Sequence, residues 1–409
     1  MEKPKIRFKG YQEDWEQRKL GDIASSFEYG LNAAAKEYDG ENKYIRITDI
    51  DDNTHEFLTD NLTSPDIDLT GADNYKLTER DILFARTGAS VGKSYIYRNS
   101  DGLVYYAGFL IRARIKEEYD AEFVFQNTLT DRYNKYIAVT SQRSGQPGVN
   151  AQEYAEFEIE VPKKEEQTKI GTYFRNIDHL ITLHQRKCEE MKTLKKYMLQ
   201  KMFPQNGQLV PQIRFSGFTE DWEQRKLNEI ADKVSEKNKN NEFSEPFTNS
   251  AEQGIISQKD YFDREIVNNE NLNGYYIVRN DDFIYNPRIS VTAPVGPINR
   301  NRLGRNGVMS PLYTVFRTHD IDNLYLEFYF KTTKWHRFMK LNGDSGARFD
   351  RFTISSTQFM EMPIPYPTLE EQQKIGEYFD SLDLFITLHQ QKCDELRNIK
   401  KFMLQNMFI

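Results

Sequence analysis

At 409 residues the chain is long enough to bury two or more cores, and its 38% hydrophobic, 13% aromatic and 29% charged content is that of a folded, slightly polar protein. It contains no apolar run of about 18 residues to cross a membrane, and its start, MEKPKIRFKG, has no signal-like apolar stretch. Two cysteines at equivalent repeat positions, Cys188 and Cys393, argue against a disulfide framework and for a reducing, cytoplasmic setting, while the net charge of −7 excludes a uniformly basic coat but not local basic faces.

The chain says the same thing twice. Residues 4–24 read PKIRFKGYQEDWEQRKLGDIA and residues 211–231 read PQIRFSGFTEDWEQRKLNEIA, identical at fifteen of 21 positions. A second matched pair runs from Glu165 to Phe203 and from Glu370 to Phe408. Between these frames lie two inserts that barely resemble one another. A repeat of this length means two domain-sized halves, not a solenoid of short units.

The first insert has strand-like runs at 43–48, 81–86, 94–98 and 109–115, then a helix candidate at 120–138. Their alternating apolar residues and Gly, Asn, Ser and Asp punctuation read as a mixed sheet with turns. Arg86 closes one run, and Gly88-Ala-Ser-Val-Gly92-Lys93 follows. That loop resembles a phosphate-binding loop but is one residue short between its glycines, so nucleotide binding is not expected. Late in the insert, SQRSGQPGVN (141–150) is a polar glycine loop. Such a loop can approach DNA closely, with Arg or Gln at base edges and Ser at phosphate, or can be an ordinary hairpin.

From Ile170 the apolar positions run Ile170, Phe174, Ile177, Ile181, His184, Cys188, Met191, the alternating spacing of a coiled-coil seam. Leu194 and Met198 continue it after a break that should overwind the pair locally. The second insert has strand runs at 275–278, 282–286 and 312–317, and a helix candidate at 322–341. Its loop NGDSGARFDR (342–351) matches the earlier glycine loop in character. Asn286-Pro287-Arg288 resembles the start of an amino-methyltransferase motif, but its second proline and aromatic are missing. Glu190-Met191-Lys192 has nuclease-like spacing but no matching upstream acid. The second seam is Ile375, Phe379, Leu382, Ile386, His389, Cys393, Leu396, then Ile399 and Met403. Thr368 with Glu371 reads as a capping box. Each helix reaches about 57 Å at 1.5 Å per residue. The economical arrangement packs the two helices against each other, antiparallel, under a pseudo-twofold. His184 and His389 then form either a register-fixing polar pair or two side chains reaching solvent.

Residues 80–98, 132–150, 279–305 and 334–351 are each locally basic, and all lie in the inserts. Arg86, Thr87, Ser90, Lys93, Arg143, Ser144 and Gln146 in the first insert, and Arg288, Ser290, Thr292, Arg348 and Arg351 in the second, are the candidate DNA contacts. No metal-ligand spacing and no nucleophile–base arrangement is present. The expected domains are 1–163, a recognition domain; 164–204, a helical spacer; 205–213, a linker; 214–366, a second recognition domain; and 367–409, a second spacer. The expected class is α/β (α+β), two mixed domains separated by an antiparallel coiled coil.

Two divergent inserts, each followed by a similar long helix, together resemble the specificity subunit of a type I restriction–modification enzyme. The junctions Glu158-Ile-Glu-Val-Pro162 with Glu165-Glu166-Gln167, and Met362-Pro-Ile-Pro365 with Glu370-Glu371-Gln372, are similar to that family's domain-to-helix junction. The second insert departs from it at Pro287 and Pro297. The resemblance implies a non-catalytic reader of a bipartite double-stranded DNA target, docked to two modification subunits and to restriction subunits, with no membrane. S-adenosylmethionine, ATP and Mg are expected on those partners and no cofactor on this chain. The alternatives are a free-standing methyltransferase or nuclease with duplicated domains, or a coiled-coil adaptor.

Overall fold

The computed structural model describes residues 3–205, 207–262, 269–344 and 350–409. The chain divides into two compact units, residues 1–186 with 389–409, and residues 187–388. Each unit therefore holds one insert with its opening frame, the opening part of the helix that follows it and the closing part of the other long helix. No helix among the described residues is long and apolar enough to cross a membrane.

The first unit opens with β1 (Glu16–Lys19), the single turn α1 (Leu20–Ile23) and β2 (Ala24–Tyr29). Short strands β3 (Ala34–Glu37), β4 (Lys43–Ile45) and β5 (Thr63–Asp66) follow. Next come β6 (Asp81–Ala85), β7 (Ser94–Ile96), β8 (Val104–Tyr106) and β9 (Leu110–Ile115). Helices α2 (Ala121–Asn127), α3 (Asp131–Thr140) and α4 (Ala151–Ala155) lead to β10 (Glu158–Val161) and the long helix α5 (Lys164–Lys201). The main sheet is antiparallel in the order β2-β9-β6-β7. Strand β6 is buried on both faces. Ile82 and Phe84 enter one core while Leu83 and Ala85 enter another, the alternation that a period of two dictates.

The second unit repeats this plan with β11 (Glu223–Lys226), β12 (Ala231–Lys233), β13 (Phe247–Ser250), β14 (Gly254–Ser257), α6 (Gln258–Phe262) and β15 (Tyr276–Val278). It continues through β16 (Phe283–Tyr285), β17 (Ile298–Arg300), β18 (Gly307–Met309), β19 (Thr314–Thr318), α7 (Asn323–Phe330) and α8 (His336–Asn342). It closes on α9 (Ser356–Met360), β20 (Pro363–Tyr366) and α10 (Leu369–Met407). Its sheet order, β12-β19-β16-β17, matches the first. Phe283 and Tyr285 face one core and Ile284 the other.

The repeated frames are what join each domain to its helix. Arg7 donates two hydrogen bonds to Glu166, at 2.7 and 2.8 Å, and Arg214 does the same to Glu371. Gln167 accepts from the Asp120 amide and donates to the Pro162 carbonyl, and Gln372 repeats both bonds with Asp322 and Pro367. Gly171 and Gly376 admit the N-termini of α2 and α7. A Cβ at Gly171 would lie 2.6 Å from Asp120 Oδ1, and one at Gly376 2.7 Å from Leu324 Cβ. The expected capping box is only half formed. Thr368 accepts from the Glu371 amide, but the Glu371 carboxylate is taken by Arg214 and Trp222.

Both helix candidates after the sheets are broken in two. Thr128 donates to the Phe125 carbonyl while Thr130 caps α3, and Thr332 donates to the Tyr329 carbonyl beyond α7. Threonine hydroxyls compete there for the helix's own backbone groups.

Within the first unit α5 and the end of α10 run antiparallel. Phe174 meets Phe408, Asp178 pairs with Lys400 at 2.6 Å, Cys393 Sγ approaches the Ile181 carbonyl, and His184 Nδ1 lies 2.8 Å from His389 Nδ1. Within the second unit the same contacts recur with partners exchanged: Phe203 meets Phe379, Lys195 pairs with Asp383 at 2.5 Å, and Cys188 Sγ approaches the Ile386 carbonyl. Ile170, Phe174, Ile177, Ile181, Cys188, Ile375, Phe379, Leu382, Cys393 and Leu396 are buried, and His184, Met191, Ile386 and His389 half-buried. Beyond Met191 and Leu396 the seam departs from the sequence reading. Leu194 and Ile399 are exposed, and Lys195 and Lys400 take the seam positions instead. With lysine there the spacing is unbroken, and the chain needs no local overwinding.

Candidate nucleic-acid interface

In the first unit the strand ends of the main sheet bring two polar loops together. The loop from Arg86 to Lys93 joins β6 to β7, and the loop from Ser141 to Val149 lies against it. Thr87 bridges Gly148, the Gly88 amide donates to the Pro147 carbonyl at 3.0 Å, and the Val149 amide to the Arg86 carbonyl at 2.9 Å. Gly88 has φ +80°, and a Cβ on it would lie 3.1 Å from Gln146 Nε2, so glycine is what lets the loops close. Arg86, Thr87, Ser90, Arg143, Ser144 and Gln146 are thereby gathered on one edge. The Arg86 guanidinium lies 4.9 Å above the Tyr29 ring and donates to the Gly108 carbonyl.

The same construction appears in the second unit. Arg288 bridges Arg351, the Ile289 amide donates to the Asp350 carbonyl at 3.1 Å, and the Phe352 amide to the Pro287 carbonyl at 2.7 Å. Arg288, Ser290, Thr292 and Arg351 are exposed, with the Ser290 and Thr292 hydroxyls 3.1 Å apart. Arg348 lies outside the described residues.

Two candidates are already engaged by their own domain. Lys93 is only 11% exposed, donates to the Ile50 carbonyl at 3.0 Å and forms an ion pair with Asp52. Arg143 is tied to Glu153 and to the Thr140 carbonyl. The short glycine loop is no phosphate cradle either. The amides of Val91, Gly92 and Lys93 donate to Gly88, Ala85 and Ser90 carbonyls, so none is free for an anion.

Ion pairs and carbonyl bonds hold most of the positive charge of residues 80–98 and 279–305. Arg80 donates to the Ile115 carbonyl and Arg98 pairs with Glu122. In the second unit Arg279, Arg300, Arg302 and Arg305 pair with Glu236, Glu327, Glu327 and Glu245. Among the described residues, Arg86 and Arg288 are the arginines of 80–98 and 279–305 with no carboxylate partner, apart from Arg80, whose guanidinium is spent on the carbonyls of Ile115, Lys116 and Tyr119. Arg86 and Arg288 lie in the matching loops past β6 and β16 but one residue apart in register: the Val149 amide bonds the Arg86 carbonyl where the Phe352 amide bonds that of Pro287, so Arg288 takes the place of Thr87. The sequence did not reveal the buried carboxylates Asp81 and Asp282. Each binds an arginine of the neighbouring strand through two bonds, Arg114 at 2.8 and 2.9 Å and Arg317 at 2.7 and 2.9 Å. Their shared position at the head of both matching runs was the available signal.

A duplicated domain that gathers unpaired arginine and polar loops at one sheet edge, joined to long paired helices, is the build of a DNA-specificity protein. The model for the type I restriction modification DNA specificity domain matches residues 12–193 and again 219–398, and the chain belongs to that family. A putative type I restriction enzyme MjaX specificity subunit of Methanocaldococcus jannaschii is 26% identical over 413 residues, covering 95% of this chain and 91% of that protein. The MjaVIII specificity subunit of the same organism is 23% identical with the same coverage. The crystal structure of a type I restriction-modification S subunit from M. genitalium has the same fold, with a TM-score of 0.62 at 14% identity over 100% of this chain and 99% of that one.

Proposed function

We propose that this chain is the non-catalytic sequence reader of a type I restriction–modification complex and that it recognises a bipartite, asymmetric double-stranded DNA target. One observation carries the reading. Two inserts of divergent sequence each leave, in matching loops past β6 and β16, an arginine with no carboxylate partner among the described residues, Arg86 in one and Arg288 in the other. Arginine is the commonest reader of guanine and a usual phosphate partner. Different loops, with the arginine one residue apart in register, favour two different half-sites.

The helices would dock the modification subunits and fix the gap. The residue just before successive seam positions is apolar and exposed: Leu180, Leu183, Ile399 and Phe402 in the first unit, and Leu194, Tyr197, Phe385 and Leu388 in the second. An apolar flank repeated beside a filled seam suits further helices laid along the coil. Two modification subunits, carrying S-adenosylmethionine and methylating adenine, are the occupants this reading names. Restriction subunits with ATP and Mg would join that core in the cytoplasm.

The test is a domain exchange. Residues 232–360 are replaced by the corresponding segment of another family member, and the methylome of a host expressing the complex is sequenced. One half-site should change and the other stay. A change in both halves together would reject two independent readers.

A further inference from the structure

Each reading edge also carries a large apolar side chain that is more than half exposed. Phe109, at the turn between β8 and β9, is 64% exposed, and Leu312, at the turn between β18 and β19, is 60% exposed. These turns are equivalent. Phe84 pairs with Ile111 and Tyr285 with Thr314, so the two tips stand at the same register, each two residues ahead of its paired residue. The Arg86 amide donates to the Phe109 carbonyl at 3.1 Å, and Phe109 rims a cleft of about 600 Å³ with Tyr29, Asn32, Arg46 and Arg86. Val291, wholly exposed, stands in the Arg288 loop. A single exposed apolar residue is ordinary. The same tip kept apolar in two otherwise divergent domains, among hydrogen-bonding side chains, is not explained by packing.

We propose that Phe109 and Leu312 are specificity-determining residues that contact the 5-methyl group of a thymine in their respective half-sites. The inference rests on the sequence-reader function proposed above. The phosphate path offers no apolar partner. Within the major groove the thymine methyl is the one apolar group on a base edge, and phenyl and aliphatic side chains are its usual contacts. The alternative for an apolar tip is a wedge driven between base pairs from the minor groove, which kinks the duplex whatever its sequence. In the first unit Arg86, stacked on Tyr29 and bonded to Gly108, and bonded through its amide to the Phe109 carbonyl, instead sets a hydrogen-bonding side chain beside the tip.

The experiment uses the chain with its modification subunits. Its methylated motif is determined, and duplexes of that motif are made with uracil replacing thymine one position at a time. One replacement in each half-site should weaken binding about fourfold, the worth of one buried methyl group. Phe109→Ala should bind the thymine and uracil duplexes of the first half-site equally while still sensing the second. Leu312→Ala should do the converse. Both positions are exposed, so the variants should melt as the parent does. Insensitivity of the parent to every uracil replacement overturns the proposal. So does an even loss by Phe109→Ala across all duplexes, the mark of a wedge. A parent complex with no methylated motif and no duplex binding would overturn the reader function itself, and this inference with it.

Discussion

Arg86 and Lys93 sit in one loop of the first domain, yet the structure gives them different work. Arg86 has no carboxylate, whereas Lys93 is folded back onto Ile50 and Asp52. Arg86→Ala and Arg288→Ala should each cost about 1–3 kcal/mol of DNA affinity and relax one half-site only. Lys93→Ala should chiefly lower the melting temperature. Calorimetry beside duplex titration separates the two, and a Lys93 variant that loses specificity at full stability would contradict this division. The seam histidines make a second residue-scale prediction. Burial, and next the neighbouring His389, hold His184 below the ordinary imidazole range. A histidine lowered in the fold binds its proton more readily when unfolded. Its stabilising effect is therefore complete above the ordinary value near 6.5 and is lost as pH falls through it. His55 and His336 are lowered by burial as well, His336 to about 4, so they add to the same loss. The His184→Leu/His389→Leu variant should lose less stability than the parent between about pH 7.5 and pH 5.5 in urea titrations. Equal losses would show that His184 does not titrate with folding.

At the scale of elements, the helices carry the prediction about spacing. The sequence suggests lengthening α5 near Gln200, where the helix ends. The structure rules that place out, because Met202 and Phe203 are buried in the second unit's core and would be rotated away. The tolerant place is the level of His184 and His389, repeat counterparts that meet each other. Four residues added after each histidine lengthen the coil by about 6 Å at 1.5 Å per residue. With base pairs about 3.4 Å apart, the gap in the methylated motif should grow by one or two base pairs with both half-sites unchanged. An unchanged gap would mean that the helices only dock partners. The same elements show how far periodicity reaches. It identified the buried seam from Ile170 to Met191 and from Ile375 to Leu396, but it chose Leu194 and Ile399 where Lys195 and Lys400 lie. Apolar pattern cannot foresee a lysine whose charge is met by Asp178 or Asp383 on the other helix.

For the whole molecule, the two units close in the same way. The Ile213 amide donates to the Lys201 carbonyl at 3.0 Å in the second unit, and the Ile6 amide to the Asn406 carbonyl at 2.9 Å in the first. Eleven residues separate Lys201 from Ile213, whereas residues 407–409 and 1–5 supply eight for the equivalent span. A permuted chain that joins Ile409 to Met1 through three added residues and opens at Asn206 should fold and keep the methylated motif of the parent. Loss of folding, followed by circular dichroism, would show that the covalent link after α5 is indispensable.

The sequence by itself indicated the duplication, seven of the strands, the paired helices and the family. Each of these is written in local order: a repeat is visible by comparison, and a strand or helix imposes its period on its own residues. Only the tertiary structure decided which charges are free. Lys93 and Arg143 look as available in the sequence as Arg86 does, because an ion pair joins residues far apart in the chain. It also decided why the frames repeat. Arg7 with Glu166 and Arg214 with Glu371 lie 159 and 157 residues apart, and at that separation nothing local marks one as the partner of the other. The reading edge is settled last, since Thr87 meets Gly148 and Arg288 meets Arg351 only after the sheet has brought their loops side by side.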